Sequence, residues 1–202
     1  MRKELERGAW LELQESWLAE PEAARLQRDL VGELCWEQRH IVLFGKQILQ
    51  PRLIAWSGEL PYRYSGQTLE PRPWPPALEP LLAPLRARVS QASGAGFNHV
   101  LVNRYRDGKD SMGLHADDEP ELGPDPIVAT LSLGQTRRFL VRARRPARSE
   151  RPLTLQLGAG SLLVMGGTCQ RHYRHVLARD ASTPLAERLS LTFRRLLTAP
   201  SP

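Results

Sequence analysis

From Asn98 to Leu196 the chain is a succession of short apolar runs closed by turn residues: Val100 with Val102, Ile127 to Leu133, Arg138 to Val141, Leu153 to Leu157, Ser161 to Met165 and Leu189 to Leu196. These runs are short and rich in β-branched and large apolar residues, so they read as strands. Strands in series, separated by turns, give the rhythm of a β-sandwich or jelly roll. The 17 prolines and 15 glycines of the 202 residues agree with many turns and fit a helical bundle poorly.

The first half has a different character. Trp10 to Leu18 is apolar, and Glu20-Pro21-Glu22 has the proline and acids of a helical first turn. Ala24, Leu26, Leu30, Val31 and Leu34 mark one face of that helix. Ile41 to Phe44 reads as a short strand or hairpin arm closed by Gly45. Residues 51–76 hold Tyr62, Tyr64, Pro71, Pro73, Trp74, Pro75 and Pro76 and are expected to be a loop-rich surface segment. Leu78 to Val89 has helical spacing that Pro80 and Pro84 are expected to kink or divide. Periodicity alone therefore gives a mostly β chain with N-terminal helices, sized for one domain over residues 1–202.

Twenty-eight Lys and Arg against 22 Asp and Glu leave a net charge of +6, and an isoelectric point near 9.9 favours polyanionic partners. Cys35 and Cys169 form no CxxC or zinc-ribbon pattern, which points to reduced thiols. No apolar run approaches the roughly 20 residues that span a bilayer, and Met1 to Gly8 lacks a signal-like apolar region. The expectation is a monomeric cytoplasmic protein, associated with the nucleoid in a bacterium or the nucleus in a eukaryote, with no membrane partner.

His115-Ala116-Asp117 brings an imidazole and a carboxylate to the same side of an extended backbone. His175, distant in sequence beside strand-like residues, would complete the two-histidine, one-carboxylate face that suits non-haem Fe(II). Taken alone, His-x-Asp is more often a surface-loop histidine beside a solvated carboxylate. Support comes from Arg188, Thr192 and Arg194, which even spacing sends to one face of a strand. Two guanidinium groups there would bind a carboxylate, unless the strand is an exposed edge.

Asn103-Arg104-Tyr105, His115-Ala116-Asp117, His175 and Arg188-Leu189-Ser190-Leu191-Thr192-Phe193-Arg194 resemble the ordered signature of the AlkB family. Upstream, Phe44-Gly45-Lys46, Pro51-Arg52, Tyr62-Arg63-Tyr64-Ser65-Gly66 and Pro73-Trp74 resemble the nucleotide-recognition region of AlkB homologues that repair double-stranded DNA. The similarity runs over residues 36–197. It implies an α+β, mostly β fold: a double-stranded β-helix (jelly-roll) core over 98–197, preceded by a recognition lid over 36–97.

By that resemblance, His115, Asp117 and His175 bind Fe(II), and 2-oxoglutarate and O2 are co-substrates. Arg194 would hold the distal C5 carboxylate of 2-oxoglutarate. Arg188 would approach the C1 carboxylate and Asp117, with Asn103, Tyr105 and Thr192 adding hydrogen bonds. The implied activity is oxidative dealkylation of bases such as 1-methyladenine and 3-methylcytosine in DNA, with release of formaldehyde. Tyr62, Tyr64 and His172 would line the base pocket, Arg52 would contact substrate, and Asp118 and Glu119 would favour a cationic lesion. Phe44 would fill the gap left by a flipped base, unless it is a core residue. The arginines at 137, 138, 142, 144, 145, 148 and 151 would clamp phosphates, unless they form a solvated basic loop. Alternatives are an RNA or protein demethylase or hydroxylase with the same iron chemistry, or a jelly-roll nucleic-acid-binding protein without catalysis.

Overall fold

The computed structural model describes residues 2–43, 45–64, 66–146, 151–180 and 184–198. The first half contains β1 (Arg2–Glu4), β2 (Ala9–Gln14), α1 (Glu20–Glu33), β3 (His40–Leu43), β4 (Lys46–Leu49), β5 (Leu53–Gly58), β6 (Tyr62–Tyr64), β7 (Gln67–Leu69) and α2 (Glu79–Ser93). The second half contains β8 (His99–Tyr105), β9 (Met112–His115), β10 (Val128–Gly134), β11 (Arg137–Ala143), β12 (Leu153–Leu157), β13 (Leu162–Gly167), α3 (Cys169–His172), β14 (Tyr173–Leu177) and β15 (Arg188–Arg194).

Seven strands form a major antiparallel sheet in the order β1-β2-β13-β10-β15-β8-β5, and four form a minor sheet in the order β12-β11-β14-β9. This is the jelly-roll arrangement expected. Alternation decides what each sheet face carries. On the outer face of the major sheet, Val100, Val102, Ala129, Leu131, Leu133, Leu189, Leu191 and Phe193 pack with Ala23, Leu26 and Leu30 of α1 and Leu82, Leu85 and Val89 of α2. Each fully buried leucine there contributes about 1.5–3 kcal/mol relative to exposure. The inner faces of the two sheets meet through Leu163, Met165 and Val128 on one side and Phe139, Val141 and Leu177 on the other.

Three sequence expectations are adjusted. The buried face of α1 includes Ala23 rather than Ala24, which is only partly covered. Residues 51–76 are not chiefly loop, because the run Leu53-Ile54-Ala55-Trp56 forms β5 at the edge of the major sheet, where Ile54, Ala55 and Trp56 are buried. The prolines lie outside that strand, at positions 51, 61 and beyond 70, so they do not interrupt its ladder. Finally, α2 is one continuous helix: Pro80 sits in the first turn, where its missing N–H costs nothing, and Pro84 is accommodated inside. Gly94 in the left-handed region ends it. Phe44 and Arg148 lie outside the described residues.

Candidate active site

The inner face of the major sheet is polar at one place, and the strand register shows why. Arg188, Ser190, Thr192 and Arg194 of β15 point inward together; Ser190 lies beside Asn103 of β8 and Ser132 of β10, Arg188 beside Tyr105, and Thr192 beside Thr130. Across from them the minor sheet presents His175 of β14, directly opposite His115 at the end of β9. Asn103, Tyr105, Met112, His115, Thr130, Phe139, His175, Leu177, Arg188, Ser190, Thr192 and Arg194 line one cavity between the sheets.

At its mouth, potential ligand atoms of His115, Asp117 and His175 lie within 4.8 Å of one another. The two imidazole rings meet edge to face with centroids 4.2 Å apart, and the His175 ring stacks on Phe139. The Nδ1 atom of His115 lies 2.8 Å from the Gly113 carbonyl, so as a donor it leaves Nε2 free. Asp117 is held from behind by its backbone N–H, which donates to Gln170 Oε1 at 3.0 Å.

Asp117 is paired with Arg194. Burial alone would raise the carboxyl pKa, but the guanidinium, then His175 and His115, bring it down to about 2. His175 is pushed down to about 3 by burial and by His115. At neutral pH the carboxylate is therefore ionised and His175 neutral, the forms that ligate a cation. Asp117 Oδ2 is buried and has no hydrogen-bond partner.

The opposite end of the cavity belongs to Arg188. It is 2% exposed, donates to Ser132 Oγ at 2.8 Å, and faces the Tyr105 ring at 5.5 Å. Its Nε is buried and unpartnered, and burial pushes its pKa down to about 10. No ion pair with an acid is found for Arg188 among the described residues. A buried cation in that state is costly and suits an anionic ligand.

The partner of Asp117 is thus Arg194, where the sequence reading placed Arg188. Period-2 alternation puts both arginines on one face but does not say which end of the strand meets the metal-ligating loop. Arg194 Nη1 is also buried without a partner.

The remaining expected site residues divide into two groups. Tyr62 lies near the cavity, its ring 5.4 Å from the Arg194 guanidinium, with Glu119 close enough to perturb it. Burial and then Asp117 raise the Glu119 carboxyl to about 7. Tyr62 Oη and Glu119 Oε2 are both buried without a hydrogen bond of normal geometry. The others are engaged elsewhere. Arg52 is a buried strut: Nε donates to Asn103 Oδ1 at 2.9 Å, Nη2 to Tyr64 Oη at 2.8 Å and Nη1 to the Ser111 carbonyl at 3.3 Å. Asp118 pairs with Arg144 at 2.5 Å. His172 faces a separate trough described below.

Sequence reasoning missed several contributors. Thr130 and Ser132 became legible only once the strand partners of β15 were known, Ser190 only through its register on β15 itself, and Gln170 only through the bond that α3 makes to the Asp117 N–H. Arg137 is buried and donates to the carbonyls of Asp107, Asp110 and Ala178, so it ties loops together and is not part of a phosphate clamp. Among the described residues, no helix is long and apolar enough to cross a membrane.

Two facing antiparallel sheets that hold a His-Asp-His cluster and two buried arginines define the class: the chain belongs to the 2OG-Fe(II) oxygenase superfamily, whose family model matches residues 11–194. More particularly, it is 38% identical over 186 residues to alpha-ketoglutarate-dependent dioxygenase alkB homolog 3 of Homo sapiens, covering 89% of this chain and 63% of that protein. It is 43% identical over 164 residues to DNA oxidative demethylase ALKBH2 of Mus musculus, covering 78% of this chain and 66% of that protein. The chain spans about three fifths of the length of the first of these relatives. The solved structure of OsALKBH1 matches with a TM-score of 0.61 at 18% identity, over 96% of this chain and all of that one, which speaks for the fold. The resemblance to the AlkB family is thereby borne out.

Membership implies Fe(II) and 2-oxoglutarate, and the residues present fit both. The unpartnered Asp117 Oδ2 lies beside two neutral imidazoles, a hard oxygen and two nitrogen donors of the facial type. The unpartnered Arg188 Nε and Arg194 Nη1 are donors that a dicarboxylate would satisfy.

Proposed function

We propose that the protein oxidatively removes alkyl groups from N-alkylated bases in DNA, such as 1-methyladenine and 3-methylcytosine, consuming 2-oxoglutarate and O2 and releasing formaldehyde. The observation that carries the reaction class is the strand β15, which presents at one end an arginine bound to a metal-ligating carboxylate and, six residues away, a buried arginine with no acidic partner among the described residues. The bound metal and co-substrate supply the oxidising chemistry. No protein nucleophile is needed.

In this reading His115, Asp117 and His175 hold the iron. Arg194 fixes Asp117, and its unpartnered Nη1 would be a donor to one carboxylate of 2-oxoglutarate. Arg188, with Asn103 and Tyr105, binds the distal carboxylate, and Thr192 lines the space between. The Arg52 bond to Asn103 Oδ1 fixes the amide so that its Nδ2 donors remain for the ligand. Met112, Phe139 and Leu177 supply the apolar part of a cavity that is otherwise polar.

For the base, Glu119 offers a polar edge beside the metal loop, whereas Tyr62, expected to line the base pocket, is fully buried in a cluster with Ile54, Trp56 and Leu101 and backs the site instead. A base inside a duplex must be flipped out at a cost of a few kcal/mol, least for damage that already abolishes pairing. Phe44 is proposed as the residue that fills the resulting gap. Support for nucleic acid comes from the net charge of +6 and from similarity to a protein named DNA oxidative demethylase.

The test is loss of 1-methyladenine and release of formaldehyde from a short oligonucleotide with Fe(II), ascorbate and 2-oxoglutarate, in single-stranded and duplex form, with methylated RNA alongside. Dependence on 2-oxoglutarate is expected. Consumption of 2-oxoglutarate without repair of any of the three would overturn the substrate, and no consumption would overturn the reaction.

A further inference from the structure

The arginines that the sequence groups between 137 and 151 do not act together. Arg137 points into the fold, Arg138 approaches Asp180 at 3.7 Å, and Arg142 lies on the outer face of the minor sheet opposite Arg174. Arg144 and Arg145, at the end of β11, do something else. They form one wall of a trough of about 310 Å³ whose other walls are the 3-10 turn Glu6–Gly8 and α3. Arg7, Arg144, Arg145, Arg171 and His172 line it, with Glu6 its one lining carboxylate. It shares no lining residue with the cavity between the sheets.

We propose that this trough is a phosphodiester-binding site that carries the nucleic-acid strand away from the reacting base. The proposal deepens the nucleic-acid reading above and rests on it for the identity of the ligand. Three observations support it.

The first is charge without compensation. Arg144 and Arg171 have acidic partners in Asp118 and Asp125, but Arg7 and Arg145 have none among the described residues. Four arginines from three separate chain segments line one concave surface, where planar multi-donor groups suit phosphate oxygens.

The second is backbone strain in the right place. Arg7 has φ 63° and ψ 26°, the left-handed region that few residues other than glycine adopt. The turn is held there by α3, since Thr168 Oγ1 donates to the Arg7 carbonyl at 2.7 Å. Glycine or asparagine would occupy the position with less strain. An arginine kept there points to a use for its side chain.

The third is connection to the metal loop. Arg144 donates both to Asp118, next to the metal-ligating Asp117, and to the carbonyl of Gln170, whose side chain holds the Asp117 N–H. The trough therefore starts where the metal loop ends. A second groove, lined by Lys3 and Arg151 but also by Glu4 and Glu6, adjoins it by sharing Glu6 and Tyr173, so the excess of positive charge lies in the trough itself.

The test uses the full chain and a fluorescein-labelled, unmodified single-stranded DNA, with anisotropy read from low to moderate salt. Variants are Arg7→Asn, which removes the charge but tolerates the left-handed turn, and Arg145→Glu. Arg28→Glu, an exposed change on α1, controls for net charge. Arg7→Asn is expected to weaken binding several-fold and to lower the slope of log K against log salt by about 0.7, the effect of one lost contact to a single strand. Arg145→Glu should weaken it further. Affinities and slopes matching those of Arg28→Glu would overturn the trough. This readout is separate from catalysis: a protein that binds through the trough yet repairs no methylated base would sink the proposed function and leave the trough standing.

Discussion

Arg194 donates from both Nε and Nη2 to a single oxygen of Asp117, at 3.0 and 2.5 Å, and leaves the other carboxylate oxygen free toward the two histidines. Only a forked cation can orient the carboxylate in this way; a lysine would offer a point charge that does not fix the plane. The pairing also lowers the carboxyl pKa and so keeps a ligand ionised inside an apolar fold. Arg194→Lys should therefore weaken metal binding about 10–100-fold, the usual range for losing a group that orients a ligand. Titration with Mn(II) followed by electron paramagnetic resonance reads this directly. Unchanged affinity would show that Asp117 is positioned by Gln170 and the backbone alone.

Arg188 presents the opposite case, a buried cation with no acidic partner among the described residues, proposed above to bind the co-substrate. Arg188→Met keeps the volume and removes the buried charge. Replacing buried ionic groups by apolar ones of similar size is often neutral or stabilising by about 1–4 kcal/mol, and each kcal/mol moves the melting point about 2–4 °C in a chain of this size. The ligand-free variant should melt at or above the parent, whereas stabilisation by added 2-oxoglutarate should disappear. A variant that melts lower and still responds to 2-oxoglutarate would assign Arg188 a structural role, with Ser132 and Tyr105 as its sufficient partners.

These two arginines also mark the boundary of what the sequence made legible. His115, Asp117, His175, Arg188 and Arg194 follow from residue type, spacing and family resemblance, and the structure gathers all five around one cavity. Which arginine meets Asp117 is a matter of strand direction and register, and those depend on partners far away in the chain. Arg52 shows a second limit. Arginine is usually exposed, so no local signal separates a buried strut from a surface contact. The Arg-rich stretch shows a third: alternation along β11 sends Arg137 inward and Arg138 outward, so a charge run in sequence is not a charge patch in space. The strand β5 was obscured by neighbouring prolines that lie just outside it.

Because Arg52 joins Asn103, Tyr64 and the Ser111 carbonyl, its loss should act at a distance on co-substrate binding. Arg52→Met leaves Asn103 Oδ1 and Tyr64 Oη buried with fewer partners, at a cost of about 1–3 kcal/mol for each group left unsatisfied. The expected result is a lower melting point together with a raised KM for 2-oxoglutarate, as the Asn103 amide is freed to turn. A fall in stability with KM unchanged would limit Arg52 to bracing the lid.

His99 makes a prediction in pH. It is 1% exposed on β8, its ring meets Tyr62 edge to face at 4.9 Å, and both its nitrogens lack hydrogen-bond partners. Burial, and then the Arg194 guanidinium, lower its pKa from 6.5 to about 3. Between those values the unfolded chain takes up a proton that the folded chain refuses, so this residue's effect on stability is neutral above pH 6.5 and increasingly destabilising as pH falls below it. At pH 5 the loss amounts to about 2 kcal/mol from this group. His99→Phe keeps an aromatic ring against Tyr62 and has nothing to protonate; the close approach of His99 Cδ2 to Gly58, 2.5 Å from where a Cβ would stand, shows that the glycine must be retained. Denaturant melts of both proteins at pH 7.5 and pH 5 should show the parent losing about 2 kcal/mol more than His99→Phe over that interval. Equal losses would mean that water or a rotated ring satisfies His99, and that its proton is not excluded by the fold.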